Sequence, residues 1–382
     1  MSQVDASTRV VVVGGGYGGA LVAAALDGTA DVTLVDPREG FVNAAASLRA
    51  LTQPDFAPNA FFPFANLLER GRVIRDRAVS VDPAGVTLAS GRRVDGDYLV
   101  LATGSGYPYP AKPHPSSTSI DQQLDDLRAT HKELAAADRV LIVGAGPVGL
   151  ELAGEIKEVW PDKSVVIVDR GPELLPGFLP AVRAELHRRL DALGIVLRLG
   201  ADPAARPDAD LVFRAFGVEV NTGYLADGRL VALTAAGTVP VGERLNVHGY
   251  DHVYAIGDIT ALPDPKMASY AMVHAEAVVQ NIRTQLAGEP PSTVYTPTPE
   301  RRILLPLGTS GGVGQLPAPG GGVAAATAET VYERKGADLF TARFAARFAS
   351  ARRGAPLGGV GREAGQGVAG DVEPGEVGQV GE

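Results

Sequence analysis

Val10-Val11-Val12-Val13-Gly14-Gly15-Gly16-Tyr17-Gly18-Gly19 stands near the start of the chain, and a second copy follows as Val140-Leu141-Ile142-Val143-Gly144-Ala145-Gly146-Pro147-Val148-Gly149. Each reads as a β-branched strand running into a glycine-rich turn. A helix rich in alanine and leucine follows each turn, to about Leu26 in the first copy and about Trp160 in the second, where Pro161-Asp162 breaks it. Second strands occupy residues 32–35 and 165–168 and lead to Asp36 and Asp169. Strands this continuously apolar are buried on both faces, as in a parallel sheet.

One such glycine pattern is weak evidence. Two, each with strand before, helix after and an acid about 20 residues on, form a specific signal for dinucleotide binding. Gly14 permits the tight turn, Gly16 lets the backbone approach a pyrophosphate, and Gly19 allows the helix to pack closely on the strand. Gly144, Gly146 and Gly149 repeat these roles. The pyrophosphate rests against a helix N-terminus, whose unpaired N–H groups and dipole favour an anion. Asp36 and Asp169 fall where a carboxylate accepts hydrogen bonds from a ribose. The chain is therefore expected to hold two dinucleotides.

Composition removes several other chemistries. The chain has 382 residues, enough for two or three domains, with 45% hydrophobic and 21% charged residues. Its net charge of −9 speaks against nucleic acid as a partner. It has no cysteine, which excludes disulphides, thiolate nucleophiles, iron–sulfur ligation and zinc–thiolate sites. The polar start and the lack of a ~20-residue apolar run lead us to expect no signal peptide and no spanning helix. With Ser2 after the initiator, N-myristoylation is not expected. A cytoplasmic protein is expected, with peripheral contact at the inner face of a membrane as the other option. The sequence sets no oligomeric state.

Two further turns refine the assignment. Leu99-Val100-Leu101-Ala102-Thr103-Gly104 is a buried strand ending in small residues, and Val253-Tyr254-Ala255-Ile256-Gly257-Asp258 is another, ending in an acid. With the paired glycine turns, these make the sequence resemble the flavoproteins with two dinucleotide-binding domains. Asn43-Ala44-Ala45-Ala46-Ser47-Leu48-Arg49, Glu151 to Lys157, Pro265-Lys266-Met267-Ala268, Gly312-Val313-Gly314-Gln315 and Lys335 through Phe340 narrow the resemblance. They look like the ferroptosis suppressor protein, or apoptosis-inducing-factor-like, branch of the FAD-dependent pyridine nucleotide-disulphide oxidoreductases.

The resemblance implies an α/β fold with two Rossmann-like dinucleotide-binding domains, for FAD and NAD(P)H, plus a small α+β C-terminal domain. Residues 1–117 and 244–290 would form a discontinuous FAD domain, 118–243 the NAD(P)H domain and 291–353 the third. The glycine-rich tail, 354–382, would be disordered, because it cannot bury enough apolar surface to offset its ordering entropy. By the resemblance the loop Gly14, Gly15, Gly16, Tyr17 and Gly18 contacts FAD, together with Arg49, Val79 and Asp258. Thr103 and Gly104 belong to the same site. Lys266 would lie near the flavin, Lys335 near a quinone pocket, and Glu155 near the flavin as a proton relay. The implied reaction carries electrons from NADH, or NADPH, through FAD to a quinone-type acceptor. A protein electron carrier such as a ferredoxin, and a slow-turnover FAD-binding redox sensor, remain as alternatives. The acidic charge of the chain disfavours docking an acidic ferredoxin.

The sequence departs from the family in three places. Only the ten residues 201–210 precede the strand at 211–213, where relatives carry a β-meander, so the nicotinamide domain is trimmed. Position 2 offers no glycine for lipidation. Asp169 differs from the animal relatives and favours NADH, because a 2′-phosphate would be repelled; Arg170 beside it opposes that preference. Disulphide-reductase relatives place a redox cysteine pair near positions 43–48, and sulfide:quinone reductases also need cysteines. Neither activity is available to this chain.

Other residues have structural explanations. His248 and His252 flank Gly249-Tyr250 without a third ligand, so no metal site is expected. His274 on its alanine-rich helix is expected to be packed. Phe340, Phe344 and Phe348 form one stripe of a helix over 338–353 and are expected to face the third domain. In the alternative the stripe rests on a membrane, with Arg343, Arg347, Arg352 and Arg353 meeting anionic headgroups.

Overall fold

A computed structural model describes residues 8–202, 208–298, 300–309 and 311–350. The tail at 354–382, Arg352 and Arg353, and half of the shortened segment at 201–210 lie outside the described residues.

The chain begins with β1 (Arg9–Val13), α1 (Tyr17–Leu26) and β2 (Asp31–Asp36). Next come β3 (Gly40–Val42), α2 (Ser47–Thr52) and β4 (Phe61–Pro63). Then follow β5 (Arg72–Arg75), β6 (Ala78–Asp82), β7 (Gly85–Leu88), β8 (Arg93–Asp95), β9 (Tyr98–Leu101), β10 (Ser105–Gly106) and α3 (Ile120–Ala136). The second glycine unit is β11 (Arg139–Val143), α4 (Pro147–Val159) and β12 (Ser164–Val168), continued by α5 (Pro180–Ala192), β13 (Ile195–Arg198) and β14 (Leu211–Arg214). After β15 (Glu219–Val220) come β16 (Val253–Ala255), α6 (Ala268–Leu286), β17 (Ile303–Pro306), β18 (Gly312–Pro317), β19 (Val323–Ala326), α7 (Ala328–Val331) and α8 (Thr341–Ser350).

Two parallel sheets carry the architecture, and the apolar strands explain both. The first has the order β16-β9-β1-β2-β5 and the second β13-β12-β11-β14. Val10 to Val13 and Val140 to Val143 are buried in the centres of these sheets, because a parallel strand is covered on both faces by its crossover connections. The chain re-enters the first sheet at β16, more than 150 residues after it leaves β9, and Val253 pairs with Leu99. In register, Val10 pairs with Val32 and Tyr98, and Val140 with Val165 and Leu211. The ends of β1 and β11, and so the two glycine turns, stand at the carboxyl edges of their sheets, where open α/β sheets bind ligands. The expected α/β fold with two Rossmann-like units is what the structure has. An antiparallel sheet, β17-β18-β19, with α7 forms the α+β portion beyond them.

The helix of phenylalanines does not pack where the sequence suggested. Phe344 and Phe348 are 4% and 5% exposed, and they cover β3 and β4 instead of the third domain. Phe344 lies 4.7 Å from Phe41 and 5.5 Å from Tyr17, and Phe348 lies 5.3 Å from Phe62, between ring centroids. The cause is local. Leu339 and Phe340 both take left-handed backbone angles, φ 53° and 66°, which turn the chain sharply between α7 and α8. Asp338 then caps the helix that follows, its carboxylate accepting the N–H groups of Phe340 and Ala342 at 2.9 and 3.0 Å. The buried rings are not available to a membrane. Phe344→Ala is expected to lower stability by roughly 3–5 kcal/mol, as for a well-packed core phenylalanine. A urea titration measures this, and a loss below about 1 kcal/mol would contradict the packing described.

Candidate functional site

The two glycine turns have the same construction. Gly14 and Gly144 take φ +100° and +115°, which a side chain would strain. A Cβ on either would also meet the backbone of Ala102 or Ala215 at 2.6 and 2.5 Å. At Gly19 and Gly149 a Cβ would stand 1.8 and 2.0 Å from the carbonyl oxygens of Gly14 and Gly144. These residues let each helix sit directly on its strand. Gly16 and Gly146 differ, since a Cβ on either would meet nothing within 4 Å. Both are helix N-caps without a side-chain cap hydrogen bond. The first-turn amides of α1, and those of α4 that follow Pro147, have no intrahelical acceptor, and open space adjoins each cap glycine. This is a cradle of the shape and polarity that a pyrophosphate requires.

A carboxylate stands behind each turn. Asp36 Oδ2 accepts the Gly15 N–H at 2.7 Å, and Asp169 Oδ2 accepts the Ala145 N–H at 2.7 Å. Oδ1 of Asp36 accepts the Arg38 N–H at 2.8 Å, and Oδ1 of Asp169 the Gly171 N–H at 2.6 Å. Each carboxylate is fixed by the turn it supports; Asp36 Oδ1 also accepts from Arg38 Nε at 3.3 Å, and the Asp36 side chain is 2% exposed. Arg170 is exposed beside Asp169. Tyr17 is anchored as well: its hydroxyl donates to Asn43 Oδ1 at 2.8 Å and accepts the Ala45 N–H at 3.1 Å. Burial pushes its phenol above the ordinary range.

The small-residue turn after β9 ties the two units together. Thr103 Oγ1 donates to the Asn221 carbonyl at 2.7 Å, and Asn221 Nδ2 donates to the Thr103 carbonyl at 2.9 Å. Gly104 accepts the Asn221 N–H at 2.9 Å, and β10 pairs with β15 just beyond. Asp258 lies in a single 3-10 turn, Gly257–Ile259. It caps no long helix, since α6 begins ten residues later. Its Oδ2 accepts the Ser105 hydroxyl at 2.5 Å. Lys112 donates to that hydroxyl oxygen at 3.1 Å and to the Ser105 carbonyl at 2.5 Å. Burial draws the Lys112 ammonium below its ordinary range, and Asp258 opposes the shift. Sequence reading passed over Ser105 and Lys112. The serine directly follows the small-residue turn Ala102-Thr103-Gly104, and the lysine sits in a proline-rich stretch without periodicity.

A buried ionic cluster joins α2, α4 and the third domain. Arg49 and Glu155 side chains are 3% and 4% exposed, and Arg49 Nε and Nη2 donate to Glu155 at 2.9 to 3.1 Å. Arg49 Nη1 donates to the carbonyls of Gly336 and Ala337, and Nη2 also to that of Gly308. All five guanidinium N–H groups are thus engaged within the protein. Burial raises the Glu155 carboxyl, with Arg49 pulling against it. One helical turn away, Glu151 is raised by burial and opposed by Lys335, whose ammonium donates to Glu151 at 2.6 Å and to the Leu304 carbonyl at 3.1 Å. Lys335 sits in a single π-helical turn, Tyr332–Gly336, a local irregularity frequent at functional sites. The structure therefore brings Glu155, Arg49, Glu151 and Lys335 into one neighbourhood. Lys266 stays apart and exposed, donating to the Thr260 carbonyl at 2.9 Å. Val79 lies 46% exposed in the antiparallel sheet β6-β7-β8.

The chain matches the pyridine nucleotide-disulphide oxidoreductase family model over residues 8–278. It is 32% identical over 343 residues to ferroptosis suppressor protein 1 of Taeniopygia guttata, covering 82% of this chain and 90% of that protein. It is 27% identical over 316 residues to apoptosis-inducing factor homolog A of Dictyostelium discoideum, covering 72% of this chain and 76% of that protein. Among solved structures, the sulfide:quinone oxidoreductase of Aquifex aeolicus superposes with a TM-score of 0.72 at 19% identity, covering 90% and 92% of the two chains. That likeness extends to the fold.

Proposed function

The chain belongs to the pyridine nucleotide-disulphide oxidoreductase family, and from that premise we propose that it is an FAD-dependent enzyme that takes electrons from NADH and delivers them to a quinone-type acceptor. The observation that carries the reading is the pair of open helix N-termini at Gly16 and Gly146, each with its carboxylate behind. Two such cradles fit two dinucleotides. The residue set around the first also fits FAD, with Asp36 for the ribose, the α1 amides for the pyrophosphate and Asp258 for the flavin side chain. We assign residues 1–117 and 244–290 to the FAD half, 118–243 to the nicotinamide half and 291–353 to the third domain. The return of β16 beside β9 supports this division.

When bound, FAD supplies the relay between the two-electron donor and the acceptor. The chain's own task is to hold, orient and exclude water. The balanced reaction is NADH, a proton and a quinone giving NAD⁺ and a hydroquinone. The family name speaks of disulphides, but this chain has no cysteine, so no thiol of its own enters the electron path. Among the acidic and basic groups, Glu155, with Arg49 and the Glu151–Lys335 pair, offers buried proton-holding groups in one neighbourhood. Lys335 is assigned to the acceptor side and Lys266 to the flavin side. The match to ferroptosis suppressor protein 1 covers 82% of this chain and 90% of that protein, so the resemblance behind this reading extends over most of the molecule. Thr103, Gly104 and their ties to Asn221 fix one half against the other. No helix among the described residues is long and apolar enough to cross a membrane.

Asp169 is assigned as the selector between the two nicotinamide cofactors. A hydrogen bond from a ribose hydroxyl to a charged acceptor contributes about 1.5–3 kcal/mol. Asp169→Ala is therefore expected to raise the KM for NADH by roughly tenfold or more, one decade being about 1.4 kcal/mol. NADPH should be hindered far less, so the NADH preference falls. Steady-state rates with both cofactors measure this, and an unchanged preference would remove Asp169 from the role.

A further inference from the structure

The turn that carries Asp258 is held from behind by a histidine. His274 on α6 is 1% exposed. Its Nδ1 accepts the Gly257 N–H at 3.1 Å, and its Nε2 lies 3.3 Å from Asp264 Oδ2. A backbone N–H can only donate, so Nδ1 carries the lone pair. The proton of the neutral ring is then on Nε2, where the Asp264 carboxylate accepts it. One tautomer alone satisfies both ends. Tyr295 closes a further side, edge-on at 4.4 Å between centroids.

Protonation would reverse the contact at Nδ1. The imidazolium carries N–H on both nitrogens, so two donors would then face each other at Gly257. We propose that His274 is the positioning residue of the Gly257–Asp258 turn and holds it in place for FAD only while the ring is neutral. This rests on the reading of Asp258 as a ligand of the flavin side chain.

The surroundings keep the ring neutral near pH 7. Burial is the largest influence and lowers the His274 pKa; Lys266 acts in the same direction, while Asp264 and Asp258 oppose it. Tyr295 faces Asp264 from the segment after α6, and Tyr270 and Arg302 stand beside Tyr295. A folded-state pKa below the ordinary value of about 6.5 means that the hold is complete above that pH. It is lost as the pH falls through the folded value.

The test compares FAD affinity of the full-length protein at about pH 7.5 and about pH 4.5, the lower value lying well under the ordinary histidine pKa of about 6.5 because burial depresses this one. In His274→Asn the side-chain oxygen takes the place of Nδ1 and does not titrate. In His274→Leu no acceptor remains. The wild type should lose roughly tenfold or more in affinity on acidification, the equivalent of one decade in Kd. His274→Asn should bind about as tightly as wild type at the higher pH and lose less than about threefold at the lower. His274→Leu should be weakened roughly tenfold at both, with little pH dependence. A uniformly structural role would lower stability in His274→Asn too without removing the pH dependence, and that result would overturn the proposal. So would wild-type affinity in His274→Leu. If His274→Leu fails to fold, nitrogen NMR of histidine-labelled wild type decides. A proton on Nε2 and none on Nδ1 is expected, and the opposite tautomer would overturn the assignment. A wild type that binds no FAD at any pH would instead remove the reading of Asp258, and the NMR result would still report on the ring.

Discussion

Replacing Gly19 by alanine is expected to strip the protein of FAD, while the matching change at Gly149 leaves FAD bound and blocks reduction by NADH. A Cβ at Gly19 would lie 1.8 Å from the Gly14 carbonyl oxygen, and that atom belongs to backbone that cannot rotate away. The helix must lift from β1, and its open N-terminus leaves the position from which it meets the pyrophosphate. Overpacking of this kind costs about 1–3 kcal/mol in stability. Misplacing the anion cradle is expected to weaken FAD by roughly 100-fold, about 2.7 kcal/mol. At Gly149 the clash is the same, 2.0 Å from the Gly144 carbonyl oxygen, but it falls on the second cradle. The flavin-to-protein absorbance ratio and the anaerobic rate of bleaching by NADH separate the two variants. Equal loss of FAD from both, or undiminished NADH reduction in Gly149→Ala, would contradict the assignment of one cradle to each cofactor.

Removing Arg49 alone is expected to be more costly than removing the whole ion pair. Arg49→Met leaves Glu155 charged, 4% exposed and without its cation, a situation that costs about 3–5 kcal/mol. Three carbonyl groups lose their donor as well. The double variant Arg49→Met with Glu155→Leu should regain much of the loss, because neither charge is then buried. The deficit of the single variant should also narrow as pH falls towards the ordinary glutamate range. A raised folded-state pKa means the protonated carboxyl is the form the site prefers, so acid relieves the unpaired charge. Urea titrations of the three proteins at two pH values measure both effects. A deficit below about 1 kcal/mol, or no recovery in the double variant, would show that the pair is solvated and weak.

The parts of the molecule legible in the sequence are those whose requirements are local. Gly14 needs a backbone angle that other residues avoid, Gly19 needs the absence of a side chain, and Val10 to Val13 need burial on both faces. Each demand is written into the residue itself, so the two cradles and their acids could be located by spacing. The small-residue turn at Thr103 and the acid at Asp258 were legible through the family resemblance. What escaped depends on which distant surface meets which. The stripe of Phe344 and Phe348 says that the helix is amphipathic but not what covers it, and the sharp turn at Leu339 and Phe340 uses residues that rarely adopt left-handed angles. The Ser105–Asp258 contact spans 153 residues and the Arg49–Glu155 contact 106. Lys112 carries no periodic signal. His274 reads as a packed histidine, and it is packed, but the tautomer fixed by Gly257 and Asp264 belongs to tertiary structure.

The proposed electron path runs from a nicotinamide through a bound flavin to a quinone, with no thiol of this chain in it. The most direct measurement is anaerobic stopped-flow absorbance of the FAD-loaded protein, mixed first with NADH and then with a short-chain quinone. The flavin band is expected to bleach on the first mixing and return on the second, with hydroquinone formed in equal amount to the NADH consumed. A flavin band that NADH does not bleach, or that bleaches and is not restored by the quinone, would contradict that path.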